Sequence, residues 1–207
     1  MASERPAVFL VDDDSSVREA VSNLLESVGL QVKTFASTDE FLSARRPDAP
    51  SCLILDVRLP GTGGLEFQEQ LAKAGILIPI VFITAYGDIP MTSRAIKAGA
   101  VELLTKPFQK KDLLAAIEQA LERDRARRKQ ERSLSGLMAR YESLTARERE
   151  VLKLLATGLT NKEVAARLGI SEITAKIHRG KLMRKMEANS FAELIQMAQK
   201  IDPQINR

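Results

Sequence analysis

Cysteine and long apolar runs are scarce in this chain of 207 residues, and each scarcity excludes a class of protein. The one cysteine, Cys52, cannot form a disulfide within the chain, and its apolar neighbours indicate a small buried side chain. The longest apolar stretch, Ile76 to Ile83, is eight residues long and contains Pro79. A membrane-spanning helix needs about 20 apolar residues. The N-terminus shows no signal peptide, so we expect a cytoplasmic protein without a membrane partner.

Charge of the two signs is unevenly divided along the chain. Residues 1–122 carry 12 Lys and Arg against 17 Asp and Glu, a net charge of −5. Residues 123–207 carry 19 against 10, a net charge of +9. A basic half of this kind favours contact with a polyanion, for which nucleic acid is the first candidate. The acidic half is expected to have a function other than binding a polyanion.

In the acidic half, short apolar runs alternate five times with helical patterns. This alternation predicts a doubly wound α/β fold, in which helices cover both faces of a five-stranded parallel sheet. The predicted strands are Val8 to Val11, Val32 to Phe35, Cys52 to Leu55, Ile80 to Thr84 and Val101 to Leu104. The predicted helices are Val17 to Val28, Thr38 to Arg45, Leu65 to Ala74, Pro90 to Ala98 and Lys111 to at least Glu122.

Polar residues follow the carboxyl ends of these strands, which is where parallel sheets bind ligands. They are Asp12 and Asp13 after the first strand, Asp56 after the third, Thr84 at the end of the fourth and Lys106 beyond the fifth. Crowded carboxylates repel one another, and a hard cation such as Mg²⁺ holds them together. A hydroxyl and an ammonium beside the same point suit a phosphoryl group. Each residue alone could be a cap or a solvated charge, but their joint placement favours a phosphate site.

Four segments of this half resemble the receiver domain of two-component response regulators, over residues 6–122. They are Val11-Asp12-Asp13-Asp14, Leu55-Asp56-Val57-Arg58-Leu59-Pro60-Gly61, Phe82-Ile83-Thr84-Ala85 and Lys106-Pro107-Phe108. The resemblance implies that Asp56 accepts a phosphoryl group from a sensor histidine kinase. It also implies four ligands for Mg²⁺, which are the carboxylates of Asp12, Asp13 and Asp56 and the backbone carbonyl of Arg58.

Switching in this family uses a hydroxyl, a lysine and the residue three positions before that lysine. The resemblance implies that Thr84 binds a phosphoryl oxygen and that Lys106 pairs with the phosphate. Leu103 stands where the family pattern has Phe or Tyr, so a rotating aromatic ring cannot provide the coupling. Leu103 slides as an aliphatic plug or the coupling is weaker, and the sequence leaves both alternatives open.

Residues 123–139 are predicted to form a basic, helical linker. Residues 123–132 hold six basic and two acidic residues with almost nothing apolar, so they cannot bury a face. We expect the fifth helix to continue through them as a solvated rod, and to loosen at Ser133 to Gly136. An arm that contacts phosphates is the alternative.

Residues 140–203 are predicted to form an all-α domain of four short helices. Three of these helices carry a capping box, in which a hydroxyl and a carboxylate satisfy the first free N–H groups: Thr145 with Glu148, Thr160 with Glu163 and Ser190 with Glu193. The second and third helices have the spacing of a helix-turn-helix. Five cations on the third helix could follow a phosphate backbone, namely Lys176, Arg179, Lys181, Arg184 and Lys185.

This half closely resembles the LuxR-type helix-turn-helix of the NarL and FixJ group. The matching segments are Leu144 to Leu152, Gly158 to Ala165, Ile170-Ser171 and Thr174 to His178, while Tyr86 to Met91 and Ala95 to Ala100 point to the FixJ subgroup. The resemblance implies that the third helix enters the major groove of promoter double-stranded DNA, with Lys176 and Ile177 facing bases. It places five residues near phosphates, namely Asn161, Lys162, Thr174, His178 and Arg179.

The third helix also contains a glycine and the only histidine of the chain. Gly180 occupies a position where some relatives place a base-contacting lysine. Either the backbone approaches DNA closely at Gly180, or the side chain of Arg179 contacts the base instead. His178, the only histidine, has no cysteine or second histidine nearby with which to bind a metal.

Together these observations predict a two-domain response regulator that dimerises on phosphorylation and works with RNA polymerase. It is not expected to be an enzyme, although Mg²⁺-dependent self-phosphorylation and slow autodephosphorylation are compatible with its pocket. One alternative is a phosphatase of the haloacid dehalogenase type, but the segment Asp12 to Ser16 ends in serine where that motif has Thr or Val. Another is a regulator that ignores phosphate, for which Leu103 is the only support.

Overall fold

The computed structural model describes residues 5–201. Residues 202 and 203, the end of the predicted DNA-binding domain, lie outside the described residues. The chain divides into two compact units between Arg128 and Lys129. No helix within residues 5–201 is both long and apolar enough to cross a membrane.

The first unit contains five strands and the helices that follow them. The strands are β1 (Ala7–Val11), β2 (Gln31–Phe35), β3 (Ser51–Asp56), β4 (Ile80–Thr84) and β5 (Glu102–Thr105). The helices are α1 (Ser15–Glu26), α2 (Thr38–Ser43), α3 (Gly64–Lys73), α4 (Ile89–Lys97) and α5 (Lys110–Glu142). All strand pairs are parallel, in the order β2-β1-β3-β4-β5, which confirms the predicted doubly wound fold.

Alternate residues of the central strands pack on opposite faces of this sheet. On one face Phe9 lies in a cluster with Phe41 of α2 and Phe67 of α3. On the other face, its neighbour Leu10 belongs to a cluster that joins α1 and α5 to the sheet. Cys52 is buried in this second cluster, and burial, together with the Asp124 carboxylate, raises the pKa of its thiol to about 12. The prediction of a buried cysteine is confirmed.

The strand order reverses beside β1, and this places a crevice at the carboxyl ends of β1 and β3. Val11 of β1 pairs in register with Leu55 of β3. Asp12 and Asp56, each one residue further along, therefore emerge side by side at this edge.

The second unit contains the end of α5 and four short helices. These are α6 (Ala146–Ala156), α7 (Asn161–Leu168), α8 (Glu172–Lys185) and α9 (Phe191–Ile201). One apolar cluster joins them, with Leu152, Val164, Leu182 and Leu194 fully buried. The four predicted helices are confirmed.

Two of the three predicted capping boxes are complete, at Thr145 and at Thr160. The third is half formed. Ser190 accepts a hydrogen bond from the Glu193 backbone N–H at 3.1 Å, but the Glu193 carboxylate accepts from the Asn189 N–H instead of closing the box on Ser190.

The predicted loosening of the fifth helix at Ser133 to Gly136 is wrong, because α5 is continuous through these residues. Leu137, in the next turn, is buried in the core of the second unit. A glycine in a helix costs only about 1 kcal/mol relative to alanine, which the burial of one large side chain offsets.

The prediction of a wholly solvated linker is also wrong, at Asp124. This carboxylate is 1% exposed. It accepts hydrogen bonds from the Ser51 backbone N–H at 2.9 Å, from Arg127 at 2.6 Å and from Arg128 at 2.7 Å, and Arg128 also pairs with Asp48. We call Asp124, Arg127 and Arg128 the α5 anchor, since they attach this helix to the start of β3.

Candidate phosphate pocket and nucleic-acid interface

Three carboxylates meet at the carboxyl edge of the sheet. Asp12, Asp13 and Asp56 each present one oxygen, and these oxygens all lie within 4.8 Å of one another. Asp12 and Asp56 are buried, whereas Asp13 is exposed. Oxygen ligands at this spacing suit a hard divalent cation. The three carboxylates that the sequence predicted as metal ligands are thus brought together, and their oxygens fit Mg²⁺.

Lys106 joins the two buried carboxylates. Its Nζ donates to Asp12 Oδ2 at 2.7 Å and to Asp56 Oδ2 at 2.6 Å. Burial raises the pKa of Asp12 despite this contact. Burial alone would lower the pKa of Lys106, but the hydrogen bonds and charges of Asp12 and Asp56 outweigh it, so the Lys106 pKa is raised. The ammonium therefore remains charged beside Asp56.

Backbone N–H groups fix the second oxygen of each buried carboxylate. Asp12 Oδ1 accepts from the Asp14 N–H at 2.9 Å, and Asp56 Oδ1 accepts from the Arg58 N–H at 2.8 Å. The Arg58 guanidinium lies over the Tyr86 ring, 4.5 Å from its centroid. The role implied for Arg58 uses its backbone carbonyl, which does not compete with this side-chain contact.

Two residues that support the pocket were not identified from the sequence. Arg18 Nη1 donates to the backbone carbonyls of Asp12 and Asp13, at 2.7 and 3.0 Å, and so holds the acidic loop. A Cβ on Gly64 would lie 2.3 Å from the Asp56 carbonyl oxygen, so only glycine lets α3 begin this close to β3. The one sequence feature that could have identified Gly64 is its place in the pair Gly63-Gly64.

Thr84 is the last residue of β4, and Leu103 lies on the neighbouring strand β5. Thr84 is fully buried, and its hydroxyl donates to the Tyr86 carbonyl at 3.2 Å. Leu103 is 9% exposed. A Cβ on Gly87 would lie 2.5 Å from a Thr105 methyl and 3.5 Å from Leu103. The loop after β4 therefore packs directly on β5, and Leu103 is an inward-facing part of that contact.

The second unit presents a helix-turn-helix. Gly169 ends α7 in the left-handed conformation, with φ of 64°. Ser171 then caps α8 by accepting from the Thr174 N–H at 3.1 Å. This tight turn lets α7 pack against α8, and it confirms the predicted motif.

Lys176 and Ile177 are exposed on α8, whereas Ala175 and Leu182 face the core. The residues predicted to face bases are thus directed to solvent. Thr174 is half-buried, with its hydroxyl 2.8 Å from that of Ser171.

The residues predicted to lie near phosphates differ in exposure. Lys162 is exposed, whereas Asn161 and His178 are half-buried. Within residues 5–201, Asn161 Oδ1 and His178 Nδ1 are buried without a hydrogen-bond partner.

Arg179 is half-buried and stacks on the Phe191 ring, 4.5 Å from its centroid. Since side chains are 100° apart around a helix, Arg179 lies about 200° from Ile177. This placement disfavours base contact by Arg179 and favours close approach at Gly180.

Lys185 was predicted to follow a phosphate backbone, but its ammonium is engaged inside the unit. Its Nζ donates to Glu148 Oε2 at 2.6 Å and to the Ser143 carbonyl at 3.3 Å. Glu148 is 3% exposed. Burial would raise the pKa of Glu148, but Lys185 and the capping bonds from Thr145 outweigh burial and lower it. This ion pair ties α6 to α8 inside the unit.

Both units of the chain match known protein families. Residues 8–118 match the response regulator receiver domain, and residues 142–198 match the bacterial regulatory proteins of the luxR family. Nodulation protein W of Bradyrhizobium diazoefficiens is 54% identical over 198 residues, which cover 96% of this chain and 87% of that protein. Transcriptional regulatory protein FixJ of Azorhizobium caulinodans is 40% identical over 191 residues, covering 92% and 90%.

Among solved structures, the response regulator StyR superimposes with a TM-score of 0.85 at 50% identity, over 95% of this chain and 99% of that one. Its likeness, like that of the sequence relatives, extends over both units. The chain therefore belongs to the NarL/FixJ group of two-component response regulators, which are transcriptional regulators built from a receiver and a LuxR-type helix-turn-helix domain.

Proposed function

We propose that this regulator is controlled by phosphorylation of Asp56, with a sensor histidine kinase as donor. The observation that carries the proposal is the position of the Lys106 ammonium, 2.6 Å from Asp56 and 2.7 Å from Asp12. A carboxylate becomes a useful nucleophile toward phosphorus when cations neutralise the charge on the phosphoryl oxygens. Lys106 supplies one such cation at the site of attack.

In the proposed transfer, an Asp56 carboxylate oxygen forms the new bond to phosphorus. The bond from phosphorus to the kinase imidazole nitrogen breaks, and its electron pair stays on the imidazole, which leaves as a neutral group once protonated. Lys106 and the Thr84 hydroxyl then contact phosphoryl oxygens. For Thr84 this requires exchange of its bond to Tyr86, which would pull the loop after β4 toward the pocket.

Mg²⁺ is the proposed cofactor, held by the carboxylates of Asp12, Asp13 and Asp56 and by the backbone carbonyl of Arg58. When bound, it supplies positive charge to the phosphoryl oxygens during transfer. The close approach of the three carboxylate oxygens supports this ligand set. The backbone bonds to Asp12 and Asp56 keep it in place.

The output is proposed to be binding of promoter double-stranded DNA by a homodimer. Phosphorylation would favour pairing of receivers, with Leu103 as an aliphatic plug that responds to the loop after β4. Lys176 and Ile177 would then face bases, while Asn161, Lys162, Thr174, His178 and Arg179 would lie near phosphates. RNA polymerase is the proposed downstream partner.

The proposed limits of the parts are 6–122 for the receiver, 123–139 for the basic linker and 140–203 for the DNA-binding domain. The protein would act in the cytoplasm as a phosphoacceptor with slow autodephosphorylation, without turning over a substrate as an enzyme does. Both matching families are regulatory ones, which supports this over a phosphatase.

The test is gel filtration with light scattering, with and without Mg²⁺ and beryllofluoride, which stands in for the aspartyl phosphate. Wild type and the control Asp112→Asn, an exposed carboxylate on α5, are expected to shift from monomer to dimer. Asp56→Asn is expected to remain monomeric and to gain no phosphoryl group by intact mass after incubation with phosphoramidate. Phosphoryl uptake by Asp56→Asn would contradict the assignment of Asp56 as the phosphoacceptor. If wild type does not shift to a dimer, the pocket does not control assembly, and that part of the proposal is wrong.

A further inference from the structure

The recognition helix α8 carries two large apolar side chains on its solvent side. Ile173 is 73% exposed and Ile177 is 53% exposed. Isoleucine is among the residues most often buried in proteins. The core of the second unit does not need these two, because Ala175 and Leu182 already form the buried side of α8. Neighbouring exposed apolar side chains indicate a contact surface.

Gly180 continues the same face of the helix. At 100° per residue, Ile173, Ile177 and Gly180 fall within an arc of about 60°. We call these three residues the uncharged strip. A Cβ built on Gly180 has no atom within 4 Å among the described residues, and glycine weakens a helix relative to alanine. Packing inside the unit therefore does not explain the glycine, whereas close approach of a ligand does.

Cations border the uncharged strip on both sides. Lys176 and Lys181 are exposed and lie on opposite edges of it. An apolar strip flanked by basic side chains matches the DNA major groove, where negative phosphates line both sides and base edges, many of them hydrogen-bond acceptors that a lysine can reach, form the floor. The apolar group on that floor is the C5-methyl of thymine.

We propose that the uncharged strip recognises thymine methyl groups, with Ile173 and Ile177 in contact with methyls and Gly180 admitting a base edge to the backbone. The proposal rests on the proposed DNA-binding function and adds Ile173 to the residues that determine sequence preference. The strip is about 10 Å long along the helix axis, which is about three base pairs at 3.4 Å each. The preferred thymines should therefore lie within three base pairs of one another in each half-site.

The test uses the full-length protein with Mg²⁺ and beryllofluoride. Its preferred site is first selected from random double-stranded DNA, and each thymine in the site is then replaced singly by uracil, which lacks only the methyl group. At fixed salt, one or two of these replacements should weaken binding by roughly fourfold each, the effect of one lost methyl contact. Ile173→Ala and Ile177→Ala should each lose sensitivity to one of those replacements.

Two further variants keep the test decisive. Leu77→Ala removes a 56% exposed apolar side chain from the first unit, and it should retain wild-type affinity and wild-type sensitivity to uracil. Gly180→Ala should raise the thermal midpoint of the second unit, because helix propensity improves, and yet weaken binding to the selected site. Stabilisation without weaker binding would overturn the role of Gly180.

The other outcomes separate this inference from the proposed function. If no sequence is enriched and no salt-dependent binding to DNA is found, both are wrong. If the protein binds DNA but every uracil replacement is neutral, or the alanine variants keep wild-type sensitivity, the thymine proposal alone is overturned. If Ile173→Ala changes self-association while sensitivity to uracil is unchanged, the strip is a protein contact and the proposal is also wrong.

Discussion

Charged side chains converge on one point in the first unit and are distributed along one helix in the second. Lys106 lies within 2.7 Å of two buried carboxylates, whereas Lys176 and Lys181 stand exposed on α8. Under the proposed function, a single covalent bond is made in the pocket, whereas α8 contacts a long polyanion. One substitution should therefore remove most of the phosphoryl uptake by the receiver, whereas DNA binding by α8 should weaken in small steps as its cations are removed.

The largest effect is expected from Lys106→Ala. Loss of the cation beside Asp56 should slow phosphoryl uptake by about 100-fold, the usual effect of removing one group that stabilises developing charge. The rate is measured by intact mass after incubation with phosphoramidate and Mg²⁺. Lys110→Ala, at an exposed position four residues further on, is the control and should retain the wild-type rate. An equal loss in both variants would show that charge in the pocket is not concentrated at Lys106.

The next largest effect is expected at the α5 anchor. Asp124→Ala leaves two guanidinium groups and the Ser51 N–H without this acceptor, and should lower the free energy of unfolding by about 2–3 kcal/mol. Because Cys52 is buried in the same unit, reaction of its thiol during a urea titration reports when that unit opens. The exposed Asp112→Ala serves as control. A wild-type midpoint for Asp124→Ala would mean that the anchor adds no stability.

A smaller effect is expected from Glu148→Gln, at about 1–2 kcal/mol for a buried hydrogen bond to a charged group. The folded state lowers the pKa of Glu148 from its ordinary value of 4.5. Its contribution is thus fully present above pH 4.5 and is lost as the pH falls through the lowered value. Wild type should lose stability over this acid range more steeply than the variant, as measured by circular dichroism. Parallel pH profiles would contradict the assignment.

The smallest effect is expected from Lys176→Ala on α8, and it should differ in kind from the effect of Lys185→Ala on the same helix. Lys176→Ala should weaken DNA binding by about 1 kcal/mol or more without changing the thermal midpoint. Lys185→Ala should lower the midpoint, because it removes the partner of buried Glu148. Fluorescence anisotropy at several salt concentrations measures the first effect, and thermal melting measures the second. Wild-type affinity of Lys176→Ala at every salt concentration would show that Lys176 does not contact DNA.

Much of the fold and of the pocket could be predicted because both depend on local patterns. Strands buried on both faces are continuous apolar runs, and residues at their carboxyl ends must meet at one edge. The α5 anchor could not be predicted in this way. Its partner, the Ser51 N–H, lies 73 positions away along the chain, and a helix segment rich in Arg has the composition of a solvated surface. Lys185 was wrongly predicted to follow a phosphate backbone for a similar reason. The sequence does not show which carboxylate a lysine on a basic helix contacts in the fold.

The α5 anchor also decides where the receiver can be separated as a transferable module. A fragment that stops at Glu122 would lack Asp124, and the first N–H of β3 would have no acceptor, although every residue of the phosphate pocket would be present. A fragment that extends to Arg128 keeps the carboxylate together with both guanidinium groups that neutralise it. In chimaeras that exchange receivers between regulators, the junction should therefore lie beyond this turn of α5, so that the strand that ends in Asp56 keeps its attachment at the other end.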